Sequence, residues 1–390
     1  MNSVYMDHAS ATPVREPVIE AMMPYFDQHF GNPSTVYDMG SKIKYVIEEQ
    51  REKVAKLIGS KTDQIIFTSS GAEANNLAIK GAVFARQKKG SHIIISAVEH
   101  HSVLNSARFF ERMDFEVTLL PVDKYGLVDP ERLLDAIRPE TVLATIMHGN
   151  NEIGTIEPIS ELSTICREKG ILFHTDAVAT VGNIPVDVNE LGVDMLSLSG
   201  ISLGAPKGIG ALYFREKLRL MPLIHGGIQE RGRRGGTENV PAIVGLGKAS
   251  ELASEELTDR INHVQELRDI LVAGIHERIN KIKFTGHPEK RLPGHASFCI
   301  EALEGEALIF MLTQEGIYAN TGSACASKAL KTSPVLVAIG MPPDLAQGSI
   351  VFTLNSSNTF EEVEYVLKKL PFAVERLRSF SPVWREKTAA

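Results

Sequence analysis

Between about residues 63 and 214, short runs rich in β-branched and aliphatic residues alternate with longer segments of helical periodicity. The runs are QIIFTS, HIIISA, VTLLPV, VLATIMH, ILFHTD, DMLSLS and GALYF. Most are nearly continuously apolar, the pattern of strands covered on both faces. GAEANNLAIKGAVFAR and ISELSTICREKG, which lie between runs, read as helices. Strand and helix in alternation imply a largely parallel sheet of seven strands in an α/β layer fold. In such sheets ligands bind outside the carboxyl ends of the strands. Every unusual polar cluster in this half of the chain follows a strand end.

The pattern changes after about residue 262. HVQELRDILVAGIHERI puts Val264, Leu267, Leu271, Ile275 and Ile279 on one helical face. The strand-like runs HASFCI and SIVFTL follow, then an amphipathic helix from about Phe360. The expected organisation is a large α/β domain over residues 16–262. Residues 1–15 join 263–390 in a smaller α+β domain.

A net charge of −7 argues against broad binding to nucleic acid or an anionic membrane. No apolar run is long enough for a transmembrane helix. MNSVYMDHASATP lacks the charged-then-apolar pattern of a secretory signal. Cys166, Cys299 and Cys325 are odd in number and far apart, which fits a reducing cytoplasm rather than a disulfide framework. Arg231, Arg233 and Arg234 form a local basic run, either a solvated loop or a phosphate or subunit contact.

Several clusters bear chemistry. In TSSGAEANN, Ser70 and Glu73 have the spacing of a capping box, and the helix start at Gly71 and Ala72 suits a phosphate. His100 follows HIIISAV and reads as a base, a ring-stacking platform or a surface residue. Asn150 and Asn151 either contact a ligand or build a turn. Asp176 ends a buried run and needs a partner, either a cationic ring nitrogen or the N–H groups of a cap. Cys166 and Cys299 sit in apolar patterns and read as packing residues. Cys325 lies among small residues in NTGSACASK and reads as reactive or metal-binding.

In this order the clusters resemble the cysteine desulfurases, fold-type I enzymes that use pyridoxal phosphate (PLP). MDHASATP, FGNPST, EH, NNEIG, DA, PKGIGALY, RGGTEN and GSAC follow one another at family spacing along nearly the whole chain. The resemblance implies a cytoplasmic homodimer in which a lysine binds PLP as a Schiff base. A loop cysteine there takes sulfur from L-cysteine and passes it on as a persulfide. It also implies that His100 stacks on the cofactor ring, Asp176 pairs with its nitrogen and Asn151 contacts it. Gly71, Ala72 and Ser199 would meet the phosphate, with Thr237 reaching it from the other subunit. Cys325 would carry the persulfide. RLRSFSPVWREK resembles the tail that contacts an iron–sulfur scaffold protein, so Trp384 is either an interface anchor or a packing residue of the last helix.

The departures bear on the reaction. The family's SGHK or SAHK is Ser199-Gly200-Ile201-Ser202 here, so Ser202 stands at the lysine position. Ala72 replaces a phosphate-binding threonine, Ala179 a ring-contacting glutamine, and Ser356 the arginine that grips the substrate carboxylate. A serine forms no stable imine, and loss of a positioned base lowers rate by roughly 10²–10⁴-fold. Lys207 is too far along the loop to substitute. These losses lead to the expectation of a desulfurase-like protein of iron–sulfur cluster assembly. It would dock a scaffold protein and offer Cys325 as a sulfur relay or cluster ligand, through a shared [2Fe-2S] cluster, with ordinary desulfuration lost and PLP noncovalent or absent. The alternative is an active desulfurase, converting L-cysteine to alanine plus enzyme persulfide, with noncovalent PLP. A third reading is a purely structural subunit.

Overall fold

The computed structural model describes residues 3–322, 332–382 and 384. The seven apolar runs form one sheet of strands β1 (Ile65–Thr68), β2 (His92–Ser96), β3 (Glu116–Leu120), β4 (Thr141–Thr145), β5 (Leu172–Asp176), β6 (Met195–Ser199) and β7 (Gly210–Phe214). Their order is β1-β7-β6-β5-β4-β2-β3. Neighbours from β6 to β3 are parallel, while β7 runs antiparallel to both β6 and β1. Every strand but β3 is buried along its full length. β3 closes the sheet, and there Glu116 and Leu119 reach solvent, as an edge strand permits.

Helix α1 (Asp38–Leu57) packs beside the sheet, and α2 (Gly71–Arg86), α3 (His101–Glu111) and α4 (Ile159–Glu168) connect its strands. Cys166 is fully buried on the apolar face of α4, as expected.

The sequence reading divides the chain near residue 262, yet α5 (Val240–Arg278) runs unbroken across that point. No glycine or proline lies between Lys248 and Ala273 to end it. Its first half packs Ile243, Leu246, Ala249 and Ala253 into the core under the large sheet. Its second half packs Leu267, Leu271 and Ile275 into a different core. That second core surrounds the antiparallel strands β8 (Ile282–Phe284), β9 (His295–Ile300) and β10 (Ser349–Thr353), ordered β10-β9-β8. It also takes in Val4 and Met6 from the N-terminal segment, which pairs in parallel with Ile317–Tyr318. Helix α6 (Gly305–Gln314) covers this core with α7 (Phe360–Phe380). A reciprocal cap between Thr359 and Glu362 starts α7.

Candidate functional site

The carboxyl ends of β4, β5 and β6 open into a cleft of about 440 Å³, facing α5 and the turn after β10. Six of the residues expected to bear on chemistry line it: Gly71, Ala72, His100, Asn151, Asp176 and Ser199.

The helix start forms as the sequence implies. Ser70 is extended, and its hydroxyl accepts the Glu73 amide at 3.1 Å. The return bond of a capping box is absent, because Glu73 accepts from the Ser69 amide at 2.7 Å and pairs with Arg234 at 3.0 Å. Burial pushes the Glu73 carboxyl up, but hydrogen bonds from Arg234 and Ser69 outweigh it and hold the group below its ordinary value. Gly71 sits against the wall of the cleft. A Cβ there would fall 2.5 Å from Val178 Cγ2 and 3.3 Å from Ser199 Cβ, so only glycine keeps this approach open.

Asp176 ends β5 and is 4% exposed. It accepts from Asn75 Nδ2 at 2.6 Å and from the Val178 amide at 3.0 Å, so it serves as a local cap. No lysine or arginine pairs with it among the described residues. Burial raises its pKa, opposed by those two hydrogen bonds and the charge of His100. Asn75 Nδ2 also donates to Ser102 Oγ at 2.8 Å, and Ser102 Oγ lies 2.7 Å from His100 Nδ1. His100 caps α3 by accepting the Ser102 amide at Nδ1, which leaves Nε2 as the nitrogen that carries a proton. Asp176 and His100 are thus linked through Asn75 and Ser102.

Next to this network Glu99 is buried. It accepts from Ser96 Oγ and the Met147 amide, both at 2.7 Å, and leaves Oε2 without a partner among the described residues. Burial pushes its carboxyl up to about 8.

The turn after β6 is a 3-10 segment, Gly200–Leu203. Ser202 lines the cleft, and its hydroxyl donates to the Ser199 carbonyl at 3.1 Å. No lysine lines the cleft among the described residues, and Lys207 is exposed outside it. Asn151 holds His295 Nε2 through its carbonyl at 3.0 Å, whereas Asn150 builds the turn by accepting the Glu152 and Ile153 amides. Ser356 lines the cleft and bonds its neighbour Asn355 at 2.9 Å.

Thr237 is exposed and does not line the cleft of its own chain. In the basic run Arg231 is exposed and donates to the Asp63 carbonyl, while the partly buried Arg233 lies over Phe214 and Arg234 holds Glu73. Cys299 is buried in β9, and burial pushes both it and Cys166 up to about 12, which makes them poor nucleophiles. Cys325 lies outside the described residues. Arg378 stacks on the Trp384 ring at 4.1 Å. Asn75, Ser102 and Arg260 line the cleft without a role given them from the sequence, and Glu99 does so as the first residue of the EH motif. An asparagine on the otherwise small, apolar face of GAEANNLAIK was the one available signal.

The Aminotransferase class-V family model matches residues 4–366. The chain is 51% identical to "Cysteine desulfurase IscS" of Dictyoglomus turgidum over 383 residues, covering 98% of this chain and 97% of that protein. It is 49% identical to the protein of the same name from Methanosarcina thermophila, covering 98% and 94%. Among solved structures, one titled "NIFS-LIKE PROTEIN" superposes with a TM-score of 0.91 at 37% identity, covering 96% of this chain and all of that one.

Proposed function

The chain belongs to the Aminotransferase class-V family, in its NifS/IscS-like cysteine desulfurase group, and from that premise we propose that it removes sulfur from L-cysteine with noncovalently held pyridoxal phosphate. The observation that carries the reading is Asp176, a buried acid lining the cleft with no lysine or arginine paired to it among the described residues. Acids so placed are stabilised by a cation, and a protonated ring nitrogen supplies one. The fit extends to the close wall around Gly71 and the free N–H groups of the α2 start, which suit a phosphate together with Ser199. A noncovalent hold is supported by Ser202, whose hydroxyl forms no stable imine and donates to the Ser199 carbonyl.

When bound, the cofactor supplies an electron sink for bonds at the carbon bearing the amino group. The chain's own residues position and protonate. Asp176 holds a proton on the ring nitrogen. Asn75 fixes Asp176 and, through Ser102, the ring of His100. His100 then presents Nε2 to give or take a proton. Cys325 is the sulfur acceptor in this reading.

A second reading, favoured by the lack of an amine at Ser202, gives up turnover. The protein then docks an iron–sulfur scaffold protein through the segment near Trp384, and Cys325 relays sulfur or ligates a shared cluster. The names of the relatives favour the first reading over the second. In both, the protein is a homodimer, which the exposed large apolar side chains Met23, Phe26, Phe30, Tyr37 and Tyr45 support as surface to cover. Among the described residues no helix is long and apolar enough to cross a membrane. Alanine formed from L-cysteine beyond one equivalent per subunit tests the first reading.

A further inference from the structure

We propose that Arg260 is the anion anchor of the cleft and receives the carboxylate of the amino-acid substrate, which Ser356 cannot hold. The proposal deepens the L-cysteine reading and rests on it. Arg260 enters the cleft from the middle of α5, beside Ile261 and Val264. It is 9% exposed, and its Nη1 is buried without a hydrogen-bond partner among the described residues.

The acid that ought to satisfy it is already engaged. Glu256 lies one helical turn earlier, and both its oxygens accept from Arg15, at 2.9 and 2.8 Å. Arg260 feels the charge of Glu256 but has none of its lone pairs. Burial, with repulsion from Arg15, pushes the Arg260 guanidinium below its ordinary value. An arginine nevertheless keeps its charge in proteins, so its spare N–H calls for an acceptor. Among the described residues lining the cleft, Arg260 is the one lysine or arginine, against Asp7, Glu99, Glu152 and Asp176. Among the described residues, an anion entering this space has a single permanent cation to meet.

The position matches the missing grip. His263 Nε2 donates to the Asn358 carbonyl at 2.9 Å, so this turn of α5 lies against the loop that carries Ser356. The Leu354 amide donates to the Gly294 carbonyl at 2.8 Å, and a Cβ on Gly294 would meet Val264 Cβ at 3.4 Å. Arg260 and Ser356 therefore flank one side of the cleft from two different elements. The phosphate has separate donors at the α2 start, which leaves the guanidinium for a carboxylate.

The test uses the full chain without added cofactor, in anaerobic reducing buffer, with calorimetric titration of three probes. L-cysteine carries amine, thiol and carboxylate; cysteamine lacks the carboxylate; 3-mercaptopropionate lacks the amine. Wild type should bind L-cysteine more tightly than cysteamine. Arg260→Gln should weaken L-cysteine by roughly 10- to 150-fold, the range for a charge-assisted hydrogen bond, and leave cysteamine unchanged. Adding Ser356→Arg to Arg260→Gln should restore the preference. If Arg260→Gln does not fold, Arg260→Lys keeps the charge and should show a smaller loss in the same direction. An unchanged preference in either folded variant overturns the proposal. So does a loss of pyridoxal phosphate affinity in Arg260→Gln without a change in that preference, which would assign Arg260 to the phosphate. If 3-mercaptopropionate binds through Arg260 while L-cysteine does not bind wild type, the anchor stands and the L-cysteine reading falls. If neither carboxylate binds wild type, the anchor falls.

Discussion

Asp176→Asn separates a cofactor contact from a structural one, because the two give opposite signs. The carboxylate accepts two hydrogen bonds, from Asn75 at 2.6 Å and Val178 at 3.0 Å, and has no salt-bridge partner among the described residues. In the cofactor-free protein its charge is therefore buried against a desolvation penalty, which is why burial raises its pKa. A group whose folded pKa is raised destabilises the fold once pH exceeds its unfolded value, and does so fully above the folded value. The amide has the same shape, and the unpartnered Asn75 Oδ1 can accept its N–H after a flip of Asn75. Removing the charge should leave the cofactor-free protein equally stable or more stable, with a larger gain at pH 8 than at pH 5. Pyridoxal phosphate binding should move the other way. One charge-assisted hydrogen bond is worth about 1.5–3 kcal/mol, or roughly 10- to 150-fold in Kd. Equilibrium dialysis with pyridoxal phosphate and thermal unfolding of the cofactor-free protein read the two effects. An unchanged Kd, or a clear loss of stability, refutes the reasoning.

Ser202→Lys should place an amine in the cleft, and borohydride treatment with pyridoxal phosphate should add the cofactor's mass to this variant and not to wild type. An unlabelled variant means that the Gly200–Leu203 turn does not face the cofactor. Glu230→Ala should destabilise by about 3–5 kcal/mol in denaturant unfolding. It takes from Arg51 its buried acid, which holds it at 2.7 and 2.9 Å and also accepts the Phe67 amide at 2.9 Å, and leaves it the half-exposed Glu48 and the Ile65 carbonyl. Stability should peak somewhat below neutral pH. Burial lowers His8 and His148 to about 4, and His174 and His295 to about 3. These rings take protons only on unfolding, so stability falls as pH drops below about 6.5. Burial raises Glu152 to about 7, and Glu99 and Glu157 to about 8. These acids lose protons first in the unfolded chain, so stability falls as pH rises from about 4.5 toward 8. At about pH 6.5 the four unfolded histidines are only half protonated, so they outweigh the three glutamates only below about pH 6, which puts the maximum near that pH in a melting series.

The large sheet was legible because burial on both faces forces continuous apolar runs, and the start of α7 because Thr359 and Glu362 carry a cap signature. The continuity of α5 was not, since one apolar stripe serves two cores, Ile243 to Ala253 packing into the first and Leu267 to Ile275 into the second. Strand β8 is short and half-buried, with no run to announce it. The site divides the same way. Asp176, Ser199 and Asn151 stand at or just beyond strand ends, where an α/β sheet gathers ligands. Asn75 and Arg260 lie inside helices, where a polar residue looks like part of a solvated face. Only the packed structure reveals that Asn75 holds Asp176 and that Arg15, not Arg260, holds both oxygens of Glu256.

The most direct measurement is alanine formed from L-cysteine by the full chain, anaerobic and reduced, with added pyridoxal phosphate and a protein-free cofactor control. Contaminating sulfide cannot imitate alanine. Several alanines per subunit above the control are expected. None above the control would contradict retained desulfuration, and the sulfur-relay reading would take its place.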